Sequence, residues 1–321
     1  RALGPAVARM SATPLRLGLV GCGRLAELGY APAARAAPSV EFVAVADPDR
    51  TRRGVVASRL GVSGHARLGE LLAATPLDGL VICTPAEQHE EVAALAAQAG
   101  LTALVEKPPA PDAAGALRIA ALRPAPWIAF NRRFDQGLQL IRKVPPGGDL
   151  SMKMVLHYRR DSWRPVARGD DALLDLAPHL IDLALFLTGA LPIAVRANAT
   201  RARAGLVLAT TRAEVQIECA TDRPHHELVE IRSAGGRLAG RAVSAGRTRG
   251  ALARLAPGSH PLVRSLTLEL EAYARALRGA DPGPLATAAE GAAVMRVLDA
   301  ARRSDAIGGE AIAIEGVTVV S

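Results

Sequence analysis

The feature that most constrains this chain is the abrupt break of an apolar run into glycines near the start of its readable region. Leu15 to Val20 (LRLGLV) is followed at once by Gly21-Cys22-Gly23-Arg24-Leu25-Ala26, a G-x-G-x-x-A pattern. A buried strand that turns on glycines into a helix is the context in which this pattern carries meaning. Gly21 permits the tight turn, Gly23 lets backbone approach a pyrophosphate, and Ala26 lets helix pack closely on strand. Phosphate oxygens would then lie against the amides at the start of a helix from Arg24, favoured by its dipole. An ordinary strand-to-helix turn has the same pattern, so the rest of the chain must decide.

The next segments repeat the alternation. Val40 to Ala46 reads as a second buried strand and ends at Asp47-Pro48-Asp49, with Asp47 21 residues beyond Ala26. That separation suits the acid that binds the adenosine ribose, and a carboxylate there favours NAD over NADP. Arg50, Arg52 and Arg53 follow and would soften that preference, leaving NADP as a second cofactor. The alternative role for Asp47 is a helix N-cap. Further strands are expected at residues 78–83, 102–105 and 127–130, with helices at 51–60, 68–74, 87–99 and 111–122. Alternation of this kind means a doubly wound parallel sheet, an α/β Rossmann domain, in which ligands collect outside the carboxyl ends of the strands. Gly21, Asp47, Thr84-Pro85 and Glu106-Lys107 all fall at such ends.

Glu106-Lys107-Pro108 is unusual in this chain. Lys and Arg together number 39, yet the lysines are only Lys107, Lys143 and Lys153. Arginine is a fork that stays charged, whereas lysine is a compact donor suited to chemistry at a confined point. A chance strand-terminal charge is the competing reading of Lys107.

After Asn131-Arg132-Arg133-Phe134 the pattern changes. Residues 134–144 and 172–187 read as helices, and strands are expected at 152–158, 193–199, 206–210, 215–219 and 228–233. Consecutive strands without intervening helices indicate an α+β domain with a largely antiparallel, open sheet. Helices at 262–277 and 286–303 and a short strand near 312–314 close the chain. Residues 238–259, rich in Arg, Gly and Ala, resist assignment. The expected division is therefore 12–132 and 133–321, with Met10 as the expected initiator and residues 1–9 set aside.

In the second half lies Asp175-x-x-x-His179-x-x-Asp182. A helical or near-helical segment places Asp175 and His179 on one face. A carboxylate that orients an imidazole serves general-base chemistry, while a simple surface pair is the alternative.

Several function classes are disfavoured. The net charge of +8 is spread along the chain, without a dense basic run or the aromatic interleaving that nucleic-acid binding needs. Cys22, Cys83 and Cys219 are far apart, which argues for a reducing compartment and against a disulfide framework or zinc site. His225-His226-Glu227 lacks the spacing of a ligand set, and no metal is expected. No apolar run is long enough to cross a bilayer and no signal-peptide core is present, so a cytoplasmic protein without a membrane partner is expected.

The glycine turn, Asp47-Pro48, Thr84-Pro85 with His89, Glu106-Lys107-Pro108, Asn131-Arg132-Arg133-Phe134 and Asp175-x-x-x-His179-x-x-Asp182 together resemble the Gfo/Idh/MocA oxidoreductases, the family of glucose–fructose oxidoreductase and inositol dehydrogenase. The resemblance runs in order from about Leu15 to the closing helices. It implies an NAD(P)-dependent dehydrogenase or reductase acting on a secondary alcohol or ketone of a sugar, cyclitol or derivative, nucleotide sugars included. It implies that Gly21, Cys22, Gly23, Arg24, Leu25, Asp47, Thr84, Pro85, His89, Glu106 and Lys107 line the cofactor. Lys107, Asp175 and His179 would be catalytic, and Lys107, Asn131, Arg133, Asp175, His179 and Asp182 would meet substrate. Trp163-Arg164 would reach the nicotinamide side, and a cis bond would precede Pro108. A homo-oligomer, dimer or tetramer, is implied through the open sheet. A catalytically silent nucleotide-binding regulator or scaffold of the same fold is the alternative, and a hydrolase or lyase using NAD internally a third. Ala177 and Pro178 depart from the family pattern before the histidine, which bears on the shape of the substrate pocket.

Overall fold

The computed structural model describes residues 13–142, 149–159, 171–245 and 260–316. The expected helix at 134–144 runs partly beyond these residues, and Trp163-Arg164 lies outside them altogether. The first half builds the expected alternation. Strands β1 (Leu15–Val20), β2 (Val40–Ala46), β3 (Ser63–His65), β4 (Gly79–Ile82), β5 (Ala103–Glu106) and β6 (Trp127–Ala129) alternate with helices α1 (Ala31–Ala36), α2 (Arg50–Leu60), α3 (Leu68–Ala74), α4 (Ala86–Gln98) and α5 (Ala113–Ala121). Their order in the sheet is β6-β5-β4-β1-β2-β3, all parallel. This is the doubly wound order, with its switch point between β1 and β4. Strand β3 escaped the sequence reading because Ser-Gly-His has no apolar run to announce it.

The second half follows with α6 (Gln136–Arg142), β7 (Leu150–His157), α7 (Ala172–Asp175), α8 (Ala177–Thr188), β8 (Pro192–Ala199), β9 (Arg203–Thr210), β10 (Ala213–Ala220), β11 (His226–Ser233) and β12 (Leu238–Ala245). Together with β14 (Ile312–Ala313) these strands form a sheet of order β12-β11-β7-β10-β9-β8-β14. Every neighbouring pair is antiparallel except β7 with β10. Alternation along β9 (eBeBeBei) and β10 (BeBeBeBB) puts one face on the core and leaves the other open, as expected of such a sheet. Strand β12 was unreadable because its sequence, LAGRAVSA, is dominated by small residues; pairing with β11 supplies what its side chains do not.

The two halves interleave. The first sheet takes its edge from β13 (Ala286–Thr287), which pairs antiparallel with β6 from far along the chain. The helix Pro261–Leu277 also returns to that sheet. Its buried Tyr273 donates to Thr102 O at 2.6 Å and accepts from Leu80 N at 3.1 Å. Gly79 is needed there, since a Cβ on it would lie 2.5 Å from the Tyr273 hydroxyl. The last helix, Ala288–Ala306, opens with a capping box of Thr287 and Glu290. One apolar core runs from Leu80, Ile82 and Ile128 of the first sheet through Met295 and Leu298 of that helix to Leu208 and Val215 of the second. A linear split at residue 132 leaves out β13, which belongs to the first sheet, and the two late helices that pack across both halves.

Candidate active site

The nucleotide loop is built by the ends of β1, β2 and β4. Gly21 has φ +90°, and a Cβ on it would lie 2.5 Å from Cys83 O and 2.7 Å from Thr84 N. Only glycine fits, because both conformation and space exclude a side chain. A Cβ on Gly23 meets nothing within 4 Å, so that position is open for a ligand to approach the backbone. Gly21→Ala is therefore expected to destabilise the fold by about 1–3 kcal/mol from backbone strain alone, read as a lowered Tm. Gly23→Ala is expected to keep its Tm and lose affinity for NAD in a titration; an unchanged affinity would remove the pyrophosphate assignment.

Asp47 is buried and accepts from Cys22 N and Asp49 N, each at 2.8 Å, and pairs with Arg52 at 3.2 Å. The cap of α2 is Asp49, whose side chain accepts from Thr51 N and Arg52 N. The N-cap reading of Asp47 is thereby set aside. Cys22 faces inward, and burial, then Asp47, pushes its thiol up to about 12. It sits in the loop as an inert packing residue and offers its amide, not its sulfur. Thr84 at the end of β4 has a buried Oγ1 without a hydrogen-bond partner. Buried polar atoms are rarely left so, and a bound ligand would satisfy this one. The glycine cradle, Asp47 and Thr84 together fit a dinucleotide.

His89 was expected against the cofactor. It is buried instead between two loops, with Nε2 2.8 Å from Thr84 O and Nδ1 3.1 Å from Pro108 O and 3.2 Å from Pro109 O. It braces the Thr84 turn against the turn that carries Lys107. Burial holds its pKa below the ordinary imidazole value against the opposing pull of those carbonyls, and it acts here as a strut between the two loops.

The Lys107–Pro108 peptide is cis. Lys107 Nζ donates to Asp175 O at 3.0 Å and lies 3.5 Å from Asp175 Oδ1. The stretch 172–187 is not one helix. It divides at Leu176 (φ −105°, ψ −39°) into α7, which ends on Asp175, and α8, which starts at Ala177 with Pro178 in its first turn. Proline lacks the N–H that would continue the ladder. Asp175 pairs with Lys107, and the carboxylate–imidazole bond expected of the segment is not made at His179 Nδ1. His179 Nδ1 is buried without a hydrogen-bond partner. Burial first, then the charges of Lys107 and Arg132, hold His179 well below the ordinary imidazole pKa. It is a neutral acceptor at pH 7, held next to a cation, which suits proton abstraction from a hydroxyl.

Three residues expected at substrate are otherwise engaged. Arg133 and Asp182 are 3% and 1% exposed. They form a forked ion pair with contacts of 2.6 and 3.0 Å, with the guanidinium stacked 4.6 Å from the Phe186 ring centroid. The physical cause is the charge itself, since a buried carboxylate must be paired. Asn131 donates to Ser265 Oγ at 3.2 Å and ties the strand-to-turn segment to the Pro261–Leu277 helix. The neighbouring Arg132 takes the more accessible place, pairing with Glu227 at the start of β11. Arg132 and Glu227 were missed, as was the Tyr158–His225 ring contact beside them at 6.2 Å between centroids. Arg132 stands within the Asn-Arg-Arg motif, but which arginine turns inward is a matter of packing that sequence spacing does not show.

Residues 15–124 match the model of the oxidoreductase family with an NAD-binding Rossmann fold, and residues 149–239 match the GFO/IDH/MocA C-terminal domain. An inositol 2-dehydrogenase of Leifsonia xyli subsp. xyli is 33% identical over 193 residues, 58% of this chain and 57% of that protein. One from Rhizobium meliloti is 31% identical over 58% of each. The match thus spans little more than half the length of these relatives. The rhizopine catabolism protein MocA of Rhizobium meliloti is 30% identical over 90% of this chain and 94% of its own. Among solved structures, an Agrobacterium radiobacter oxidoreductase determined with NAD+, L-tartaric acid and magnesium superposes with a TM-score of 0.79 at 20% identity, covering 94% of this chain and 99% of that one. A myo-inositol 2-dehydrogenase of Lactobacillus plantarum gives 0.78 at 18%, covering 94% and 100%; at such identities the likeness is one of fold. With both domain models in register and a full-length relative at 30% identity, the chain belongs to the Gfo/Idh/MocA oxidoreductase family, with an NAD-binding Rossmann domain at its start.

Proposed function

We propose that the protein is an NAD-dependent dehydrogenase acting on a secondary alcohol of a cyclitol, sugar or sugar derivative. The observation that carries this reading is His179, its buried Nδ1 without a hydrogen-bond partner and its pKa held low by burial and by Lys107, together with the Lys107–Asp175 pair and the NAD-binding fold. His179 removes the hydroxyl proton. Lys107 donates to the same oxygen and stabilises the charge that develops on it, which is worth most in a site that excludes water. Asp175 holds the lysine in place. When bound, NAD accepts the hydride. Gly21, Gly23, Asp47, Thr84 and Glu106 would line the cofactor, with the Cys22 amide holding the Asp47 carboxylate in place. The inositol 2-dehydrogenase relatives favour a cyclitol or another polyol over a nucleotide sugar.

A panel of inositols, aldoses and sugar acids followed at the reduced-nicotinamide absorbance tests the proposal. Turnover with at least one polyol, faster as pH rises through the His179 range, is expected. NAD binding without turnover across the panel would favour the silent regulator instead.

A further inference from the structure

Behind Lys107 lies a buried acid cluster that the hydride-transfer chemistry does not use. Glu269, on the Pro261–Leu277 helix, is 0% exposed, and neither of its carboxyl oxygens has a hydrogen-bond partner. Glu106, 6% exposed at the end of β5, accepts from the Tyr30 hydroxyl at 2.7 Å and from the Lys107 amide at 3.0 Å. Tyr30 reaches it from a π-helical segment, Ala26–Tyr30, directly after the glycine turn; such segments recur at functional sites. Asp182 and Arg133 stand on a further side and act on the charge of Glu269, as does Glu106. Cys83 and Glu269 in turn bear on Tyr30.

The charges do not balance. Two cations serve the cluster: Arg133, which Asp182 grips from two sides and Glu290 also pairs with, and Lys107, which acts on Glu106 but is itself paired with Asp175. With Asp175 and Glu290 counted, five carboxylates stand against these two cations, so the buried acids that no cation pairs directly must keep protons. Asp182 is satisfied by Arg133, and Glu106 by Tyr30 and the Lys107 amide. Glu269, which has no donor to stabilise a carboxylate, holds a proton. Burial, then Glu106 and Asp182, push its carboxyl well above the ordinary range, and Glu106 is raised in the same direction by burial.

We infer that Glu269 and Glu106 form a proton store coupled to the redox state of the bound nicotinamide cofactor. The inference rests on the reading above that Glu106 and Lys107 line the nicotinamide end of the site. The oxidised ring carries a positive charge and the reduced ring does not. In the free protein and with NADH the store keeps its proton. With NAD+ bound beside Glu106, a fraction of the Glu269 O–H breaks, the proton passes to solvent, and the carboxylate left behind is compensated by the ring charge. NAD+ binding therefore tightens as pH rises, whereas NADH binding does not. His179 contributes no such proton at neutral pH, because it is already deprotonated.

Isothermal titration calorimetry of the full chain with NAD+ and with NADH, in two buffers of different ionisation enthalpy at neutral and mildly alkaline pH, counts the protons released. Wild type is expected to release protons with NAD+ and none with NADH. Glu269→Gln, matched in shape and neutral at every pH, is expected to bind both forms and lose the NAD+-linked release. The same variant should gain thermal stability over wild type, by an amount that grows with pH. The sign follows from a folded-state pKa above the unfolded one: wild-type stability falls as pH rises from the ordinary carboxylate range through the raised value, and the amide removes that fall. Equal proton counts for NAD+ and NADH in wild type would overturn the inference while leaving the dehydrogenase reading intact. Release that persists undiminished in Glu269→Gln would also overturn it. Failure of wild type to bind either nucleotide would overturn both. If the variant does not fold, the wild-type comparison of the two cofactors decides alone.

Discussion

Replacing His179 with alanine is expected to lower kcat by about 100- to 10,000-fold, the usual worth of a positioned general base, while Kd for NAD stays near the wild-type value. His179 lies in α8 of the second half and the glycine turn at the end of β1, so the two readouts separate. The pH profile carries the sharper information. His179 is held well below the ordinary imidazole pKa by burial and by Lys107 and Arg132. The acid limb of kcat/KM for alcohol oxidation should therefore lie below the usual histidine range, with activity falling as pH drops through that lowered value. The limb should vanish in His179→Ala. In Lys107→Met the loss of the neighbouring cation lets the His179 pKa rise, so the limb of the residual activity moves to higher pH. An acid limb that keeps its position in Lys107→Met would separate the two residues and sink the shared-oxygen mechanism, as would loss of NAD binding with turnover retained.

The largest effect on stability is expected at a pair that does no chemistry. Arg133→Ala should destabilise the protein by about 3–5 kcal/mol, the typical cost of leaving a buried charge without its partner. Burial already pushes Asp182 up to about 6 against the pull of Arg133. Without the guanidinium it rises further, so the folded variant binds its proton more tightly than the unfolded chain does. Stability of Arg133→Ala then falls as pH rises from the ordinary carboxylate range, and its deficit against wild type widens towards neutral pH. Chemical denaturation at acid and neutral pH measures this directly. The double replacement Arg133→Met with Asp182→Leu should recover much of the loss, because apolar residues of similar size need no partner. Equal stability of wild type and Arg133→Ala at neutral pH would show that the pair is not the structural clamp its burial indicates.

Arg133 and Asp182 also show where reading the chain stops. Both stand in motifs that the family resemblance carries to substrate, and both were expected there. Spacing along a helix gives the face on which Asp182 lies, but not what packs on that face. The Asn131–Phe134 turn, the Phe186 ring and the start of the Ala288–Ala306 helix enclose the pair, with Glu290 2.9 Å from Arg133. Similarly, the four-residue interval between Asp175 and His179 suggests one helical face until Pro178 divides the segment and turns Asp175 towards Lys107. Glu269 gave no signal at all. In sequence it is one of several acids on an amphipathic helix, and only the return of that helix onto the first sheet buries it.

What the sequence determined by itself is local and periodic. The strand–glycine–helix turn, the alternation of apolar runs with helices and the later run of unbroken strands set two sheets of different kinds, because side-chain period and turn chemistry act over neighbouring residues. The rare lysine after β5 and the histidine downstream stood out as candidates for the same reason: their residue types are themselves informative. The tertiary structure decided which charges meet. It set Lys107 on Asp175, Arg133 on Asp182 and Arg132 on Glu227, brought β13 back to close the first sheet, and left His179 Nδ1 and both Glu269 carboxyl oxygens without hydrogen-bond partners. Those outcomes depend on burial and distance between segments far apart in the chain, and charge has little preference among partners until the fold removes water from around it.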